Sequence, residues 1–245
     1  MIRAVLFDMG GTLLDFNPHR LQWLEWERGG MESVHTYLVN RGYSLTGSTF
    51  FAHLIDSLAE RWAEATQGGR NLHLAERIRA ACTACGVSPT RDEIDQAVAQ
   101  YIAPLDKRVV IYSDAVQTLR LLRERGLKTA LVSNTMWPGT FHRRQLRRFE
   151  LLPYLDHTVF SADLSIWKPQ PGIYQHALDA LSVDPGEAIF VGNSIAEDVA
   201  GAQAAGMRGV WKHDPGFFSD GVHPDATITH LAELIAWVDR WQGYE

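Results

Sequence analysis

From about residue 108 onward, short apolar runs alternate with amphipathic stretches. This alternation restricts the fold more than any other property of the chain. Strand-like runs fall at 128–133, near 157–160, at 188–191 and at 208–211. Helical periodicity fills 114–125, 139–149, 172–181, 196–205 and about 229–242, with Gly126 and Gly206 closing two of those helices. Strand and helix alternating at this spacing predict βαβ units and a parallel sheet. Residues 3–8 form one more run of the same character at the other end of the sequence. The expected architecture is an α/β core of residues 1–15 and 108–245, interrupted by a helical domain at 16–107.

The interrupting block reads as helix throughout. Leu21 and Leu24, then Val34, Tyr37 and Leu38, predict a first helical stretch, with Gly29-Gly30 as a point where it can break. Phe50, Leu54, Leu58 and Trp62 recur every four residues and predict a second. Leu74, Ile78 and Ala81 predict a third. Ile94, Val98, Tyr101 and Ile102 predict a fourth, with Thr90 as N-cap and Glu93 three residues on. Gly68-Gly69 and the Gly86 to Pro89 stretch punctuate them.

Composition excludes several roles. The net charge of -6 over 245 residues leaves no electrostatic footprint for nucleic acid. No apolar run reaches membrane-spanning length, and Asp8 interrupts the N-terminal one, so neither a membrane span nor a signal peptide is expected. Two cysteines, Cys82 and Cys85, give no disulfide framework and fit buried small residues. The expected compartment is the cytoplasm. Nothing in the sequence sets the oligomeric state.

Chemistry-bearing residues stand at or just beyond the strand ends. Ala4-Val5-Leu6-Phe7 runs into Asp8, then Gly10, Gly11 and Thr12. Leu131-Val132 runs into Ser133 and Asn134, and Ile189-Phe190-Val191 into Gly192 and Asn193, with Asp198 five residues past Asn193. Lys168, one of only four lysines, is followed by Pro169 and Pro171 just before a helix. Parallel strands put their carboxyl ends on one edge, so these groups are expected to converge there. A carboxylate, a hydroxyl, an ammonium and a glycine-rich turn suit an oxyanion. Backbone N–H groups of the Gly10-Gly11-Thr12 turn can cradle phosphate oxygens, and Ser133 and Lys168 can donate to them.

These four segments, in this order, resemble the haloacid dehalogenase-like hydrolase superfamily, in particular members with a helical cap inserted after the first strand. The resemblance covers nearly the whole chain and implies a Rossmann-like core. It implies that Asp8 is a nucleophile forming an aspartyl-phosphate, with Lys168 offsetting charge. It implies a small phosphorylated substrate bound by Gly11, Thr12, Ser133, Asn134 and Lys168. It also implies Mg²⁺, held by Asp8, the Gly10 carbonyl and Asn193 or Asp198. Two positions depart from the phosphatase pattern. Gly10 stands where a second Asp usually serves as acid and base, and Asn193 where a metal-binding Asp is usual. His19, His35 and Asp15 are other acid/base candidates. An alternative is carbon–halogen hydrolysis, where a halide leaves without a proton and an Arg (Arg20, Arg28 or Arg41) meets the substrate. Another is a catalytically impaired binding protein. The absence of lysine from 16–106 argues against a Schiff-base route.

Other conspicuous residues have simpler readings. Arg143, Arg144, Arg147 and Arg148 fit a solvated helix face. Trp23, Trp26 and Trp137 fit aromatic packing as well as a substrate pocket.

Overall fold

The computed structural model describes residues 1–55, 58–68, 72–164, 166–214 and 221–243. In chain order the strands are β1 (Ala4–Phe7), β2 (Leu14–Asp15), β3 (Val110–Ile111), β4 (Lys128–Ser133), β5 (His157–Phe160), β6 (Ala188–Gly192), β7 (Arg208–Lys212) and β8 (Ala226–Ile228). The helices are α1 (Trp23–Asn40), α2 (Gly47–Ile55), α3 (Leu58–Thr66), α4 (Leu74–Ala84), α5 (Arg91–Asp106), α6 (Ala115–Glu124), α7 (Gly139–Arg148), α8 (Pro171–Leu181), α9 (Gly201–Ala204) and α10 (Leu234–Gln242).

The chain divides into two compact units. One comprises Met1–Asp15, Ala65–Asn71 and Ile111–Glu245; the other comprises Phe16–Glu64 and Leu72–Val110. The first unit is a six-stranded sheet of order β5-β4-β1-β6-β7-β8, with every pairing parallel. Residues 4–7, 129–133 and 188–192 are buried without exception, as expected for parallel strands covered on both faces. After β1 the chain builds β4 and β5 on one side, then β6, β7 and β8 on the other. The order therefore reverses at β1, and crevices at the carboxyl ends of strands form at such a reversal.

Two elements differ from the sequence reading. The helix expected at 196–205 begins as a π-helical segment, Ile195–Ala200, and becomes α-helical only in α9. The final helix starts later, at a single 3₁₀ turn over Leu231–Glu233, because residues 226–228 pair with β7 as β8.

In the second unit, Gly29 and Gly30 do not break α1, which runs unbroken from Trp23 to Asn40. Gly30 serves close packing: a Cβ there would lie 2.8 Å from the Tyr101 carbonyl of α5, too near for any side chain, whereas at Gly29 the nearest atom would be Pro104 Cβ at an ordinary 3.6 Å. The period-four run Phe50 to Trp62 is divided between α2 and α3, with residues 56–57 outside the described residues, as is Gly69. Helix α5 carries the expected capping box of Thr90 and Glu93. Burial pushes the Cys82 thiol up to about 11, which suits a packing role.

The same unit buries a polar group that periodicity does not reveal. Glu27 and Arg77 are both almost fully buried, and the Tyr101 hydroxyl donates to Glu27 Oε2. Burial raises the Glu27 carboxyl to about 7, against the pull of Arg77. A carboxyl that holds its proton more tightly when folded stabilises fully at low pH. That contribution is lost as pH rises from the unfolded value of 4.5 through about 7. The stability difference between wild type and Glu27→Gln is therefore expected to shift by on the order of 1–3 kcal/mol across that window. Hydrogen exchange of α1 at several pH values measures it; a pH-independent difference would rule this origin out.

Candidate active site

Asp8 follows β1 and is anchored by its own N–H, which donates to the Val191 carbonyl at 2.9 Å. Its neighbours in the sheet, β4 and β6, bring Ser133 and Asn193 to the same edge. Lys168 reaches this edge from the segment between β5 and α8. Its Nζ donates to Asp8 Oδ1 at 2.8 Å and to Asp198 Oδ1 at 2.6 Å. All three side chains are buried, Lys168 to within 1 % of complete. The Thr12 hydroxyl donates to the other Asp8 oxygen at 3.1 Å.

Each member of this group is held from outside it. Asn134 clamps the main chain of Lys168: its Oδ1 accepts the Lys168 N–H at 2.8 Å and its Nδ2 donates to the Lys168 carbonyl at 2.9 Å. The same Nδ2 donates to Glu197 Oε2 at 2.8 Å. Asp198 Oδ2 accepts the Ser194 N–H at 2.8 Å, while Ser194 Oγ caps the π-helical segment through the Glu197 N–H. Gly192 leaves the space that Asp198 fills, since any Cβ there would collide with it. Tyr174, whose hydroxyl donates to the Glu197 carbonyl, packs against Gly201 for the same reason.

Electrostatics follow from burial. Desolvation raises the Asp8 carboxyl to about 6; Lys168 opposes the rise and Asp198 adds to it. Burial alone would lower the Lys168 ammonium, but Asp198 and Asp8 outweigh it, so Lys168 is held firmly charged. Two carboxylates and one ammonium leave the group one net negative charge.

Several expectations change in detail. The N–H groups of Gly11 and Thr12 are used within their own turn, donating to Leu14 and Met9 carbonyls at 2.8 and 3.4 Å, so they do not form an open anion cradle. The Asn134 amide is committed to Lys168 and Glu197, which makes it a support for Lys168. Ser133 is buried at the edge, with its hydroxyl 3.4 Å from the Asn134 carbonyl. Asn193 packs against Gly11, where φ is +79° and a Cβ would collide with the amide. Its Nδ2 donates to Asp214 Oδ2 at 3.4 Å.

The oxygen donors for a cation are of the right kind but few. Both oxygens of Asp198 are taken by Lys168 and Ser194, so Asp198 belongs to the lysine. Asp8 is engaged too, by Lys168 and Thr12, so a cation would share its oxygens with those donors and draw otherwise on the Gly10 carbonyl and the Asn193 amide oxygen; no cluster of three acidic, His or Cys side chains occurs among the described residues. One carboxylate with neutral oxygens fits Mg²⁺, which keeps waters and shares substrate phosphate oxygens.

Residues set aside or missed also have places. Trp137 is buried and stacks at 8° on His142. Trp26 Nε1 donates to the Phe16 carbonyl, and the Trp23 side chain lies outside the described residues. Arg41 pairs with Glu93 at 3.2 Å, and the His35 ring meets Phe50 and Phe51 at tilted angles of 56° and 41°. Arg143 pairs with Asp163, while Arg144, Arg147 and Arg148 are exposed. The sequence reading missed Glu197, Lys212 and Asp214. Lys212 and Asp214 follow the same strand-end rule that found Asp8, applied to 208–211.

The haloacid dehalogenase-like hydrolase model matches residues 2–206. The chain belongs to the haloacid dehalogenase-like hydrolases. Relatives in that family differ in activity. The chain is 31% identical over 211 residues to (S)-2-haloacid dehalogenase 1 of Pseudomonas sp. (strain CBS-3), covering 85% of this chain and 83% of the relative. It is 28% identical over 249 residues to phosphoserine phosphatase of Thermus thermophilus, covering 95% and 98%. Among solved structures, a 2-haloacid dehalogenase from Pseudomonas syringae pv. Tomato DC3000 superposes with a TM-score of 0.69 at 25% identity, covering 98% of this chain and 100% of that one. This haloacid dehalogenase-like chain is thus an enzyme of the hydrolase class, with phosphatases and dehalogenases both among its relatives.

Removing the shared cation exposes two buried carboxylates to each other. Lys168→Met is expected to cost on the order of 3–5 kcal/mol, the usual penalty for stranding a buried charge. Urea unfolding at pH 8 measures it. A loss under about 1 kcal/mol, as for an exposed pair, would show that the three groups are not coupled.

Proposed function

We propose that the chain is a hydrolase of small phosphorylated compounds in which Asp8 is the nucleophile. The observation that carries this reading is the buried Asp8–Lys168 contact of 2.8 Å at the carboxyl edge of β1. Lys168 fixes the carboxylate and offsets its charge, and Thr12 fixes its second oxygen. Donors around Asp8 suit a group with several acceptor oxygens: the Lys168 ammonium and the hydroxyls of Thr12 and Ser133.

The chemistry divides into two displacements. An Asp8 oxygen bonds to phosphorus as the bond to the leaving oxygen breaks, and that oxygen departs with the bonding pair. Water then attacks phosphorus, the aspartyl P–O bond breaks, and phosphate is released with the water's proton passing to solvent. A bound Mg²⁺, held by Asp8, the Gly10 carbonyl and Asn193, would supply positive charge against the phosphoryl oxygens.

Gly10 has no side chain to protonate the departing oxygen. Lys168 holds its protons between two carboxylates, and Asp198 is fully engaged. The reading therefore favours leaving groups that depart as stable anions, such as aryl or acyl phosphates. General acid help is worth roughly 10²–10⁴-fold, so p-nitrophenyl phosphate is expected to be cleaved faster than an alkyl phosphate by at least that much. Gly10 lies outside the left-handed backbone region, so its backbone conformation is one that an L-residue adopts. Gly10→Asp is expected to raise alkyl phosphate turnover by on the order of 10²-fold, with little gain on p-nitrophenyl phosphate. An equal gain on both would contradict the missing-acid reading. Asp8→Asn is expected to lose on the order of 10⁴-fold or more on every substrate.

A second reading is carbon–halogen hydrolysis. It is favoured by Gly10, because halide needs no proton, and by Lys168, a countercharge already built into the chain. Phosphate release that requires Mg²⁺ and stops in EDTA supports the first reading. Halide release from a 2-haloacid that continues in EDTA supports the second.

A further inference from the structure

Beyond Asp8, Lys168 and Asp198, the same sheet edge carries a second buried lysine. Lys212 is the last residue of β7 and is only 6 % exposed. Its Nζ donates to the Gly11 carbonyl at 2.9 Å and sits 3.7 Å from the centre of the Tyr112 ring. The Tyr112 N–H in turn donates to the Leu13 carbonyl at 3.1 Å. Two residues distant in sequence thus grip successive parts of the turn that follows Asp8. Within that turn, Gly11 and Leu14 are joined at 2.8 Å, and Thr12 reaches back to Asp8 Oδ2.

Strand β7 is itself fixed to β6. Gly192 is level with Trp211, and Trp211 Nε1 donates to the Asn193 carbonyl at 2.9 Å. Lys212 therefore pulls on the turn from a rigid base. Burying an ammonium is unfavourable unless it is compensated. A carbonyl oxygen and an aromatic face supply that compensation here. A methionine of similar length would fill the same space without the polar contact.

We propose that Lys212 is a positioning residue for the nucleophile: by holding the Gly11 carbonyl it keeps Thr12 on Asp8 and the Asp8 carboxylate in its reactive orientation. This rests on the reading of Asp8 as nucleophile.

Hydrogen exchange tests it without substrate. In Lys212→Met, the amides of residues 11–14 are expected to exchange about tenfold faster or more, with β4 protected as in wild type. Lys212→Arg, which retains a donor, is expected to stay near wild type. With p-nitrophenyl phosphate, Lys212→Met is expected to lower kcat on the order of 10- to 100-fold, with KM changed less than about twofold. Wild-type exchange in residues 11–14 overturns the proposal, and so does faster exchange with unchanged kcat. A rise in KM alone points to direct substrate contact and also overturns it. If Lys212→Met fails to fold, Tyr112→Leu removes the aromatic ring under the Lys212 ammonium and is judged by the same readouts. Turnover that survives Asp8→Asn is the separate sign that the nucleophile reading has failed.

Discussion

The Lys168 ammonium shared by Asp8 and Asp198 is the interaction on which the rest of the first unit depends. An ion of this kind stays charged in a dry interior only when its partners are held at bonding distance. Much of the surrounding sequence provides that. Asn134 fixes both main-chain groups of Lys168, Ser194 fixes Asp198, and Thr12 fixes Asp8. Gly192 is a glycine because Asp198 occupies the volume a side chain would need, and Gly201 is one because Tyr174 and Pro169 press on it. The π-helical start after β6 brings Asp198 and Glu197 to the same group from adjacent positions; such segments recur at functional sites.

The sheet topology delivers these residues because its order reverses at β1. The placement was legible in the sequence. Apolar runs ending on Asp8, Ser133 and Gly192-Asn193 are what parallel strands buried on both faces look like, and their ends share one edge. Lys168 was legible by rarity and by its prolines. What remained hidden depends on contacts across the fold. Asn134, expected from the resemblance to bind substrate, has its amide on the main chain of Lys168. Gly29 and Gly30 read as a helix break, but the partner helix α5 overrides local propensity by packing directly on them. Glu27 lies on a helical pattern, and only the fold shows that Arg77 and Tyr101 accompany it.

Gly10 and Asn193 acquire a physical meaning from this arrangement. Against the phosphatase pattern that the sequence resembles, they take away two carboxylates beside an Asp8–Lys168–Asp198 group that carries one net negative charge. Any anion arriving there meets less repulsion, and any cation meets fewer ligands. In the proposed hydrolysis, both effects shift work onto Lys168 and onto the leaving group itself. The family includes phosphatases and 2-haloacid dehalogenases at similar identity. In the two readings proposed for this chain Asp8 is the attacking group, and they differ in whether the departing group needs a proton. Under those readings, the missing side chain at position 10 bears on that difference.

The most direct measurement is mass spectrometry of enzyme quenched in acid during steady-state turnover of p-nitrophenyl phosphate. The expected result is a peptide containing Asp8 that carries one phosphoryl group, absent from Asp8→Asn. The contradicting result is sustained phosphate release with Asp8 unmodified and the phosphoryl group on another residue.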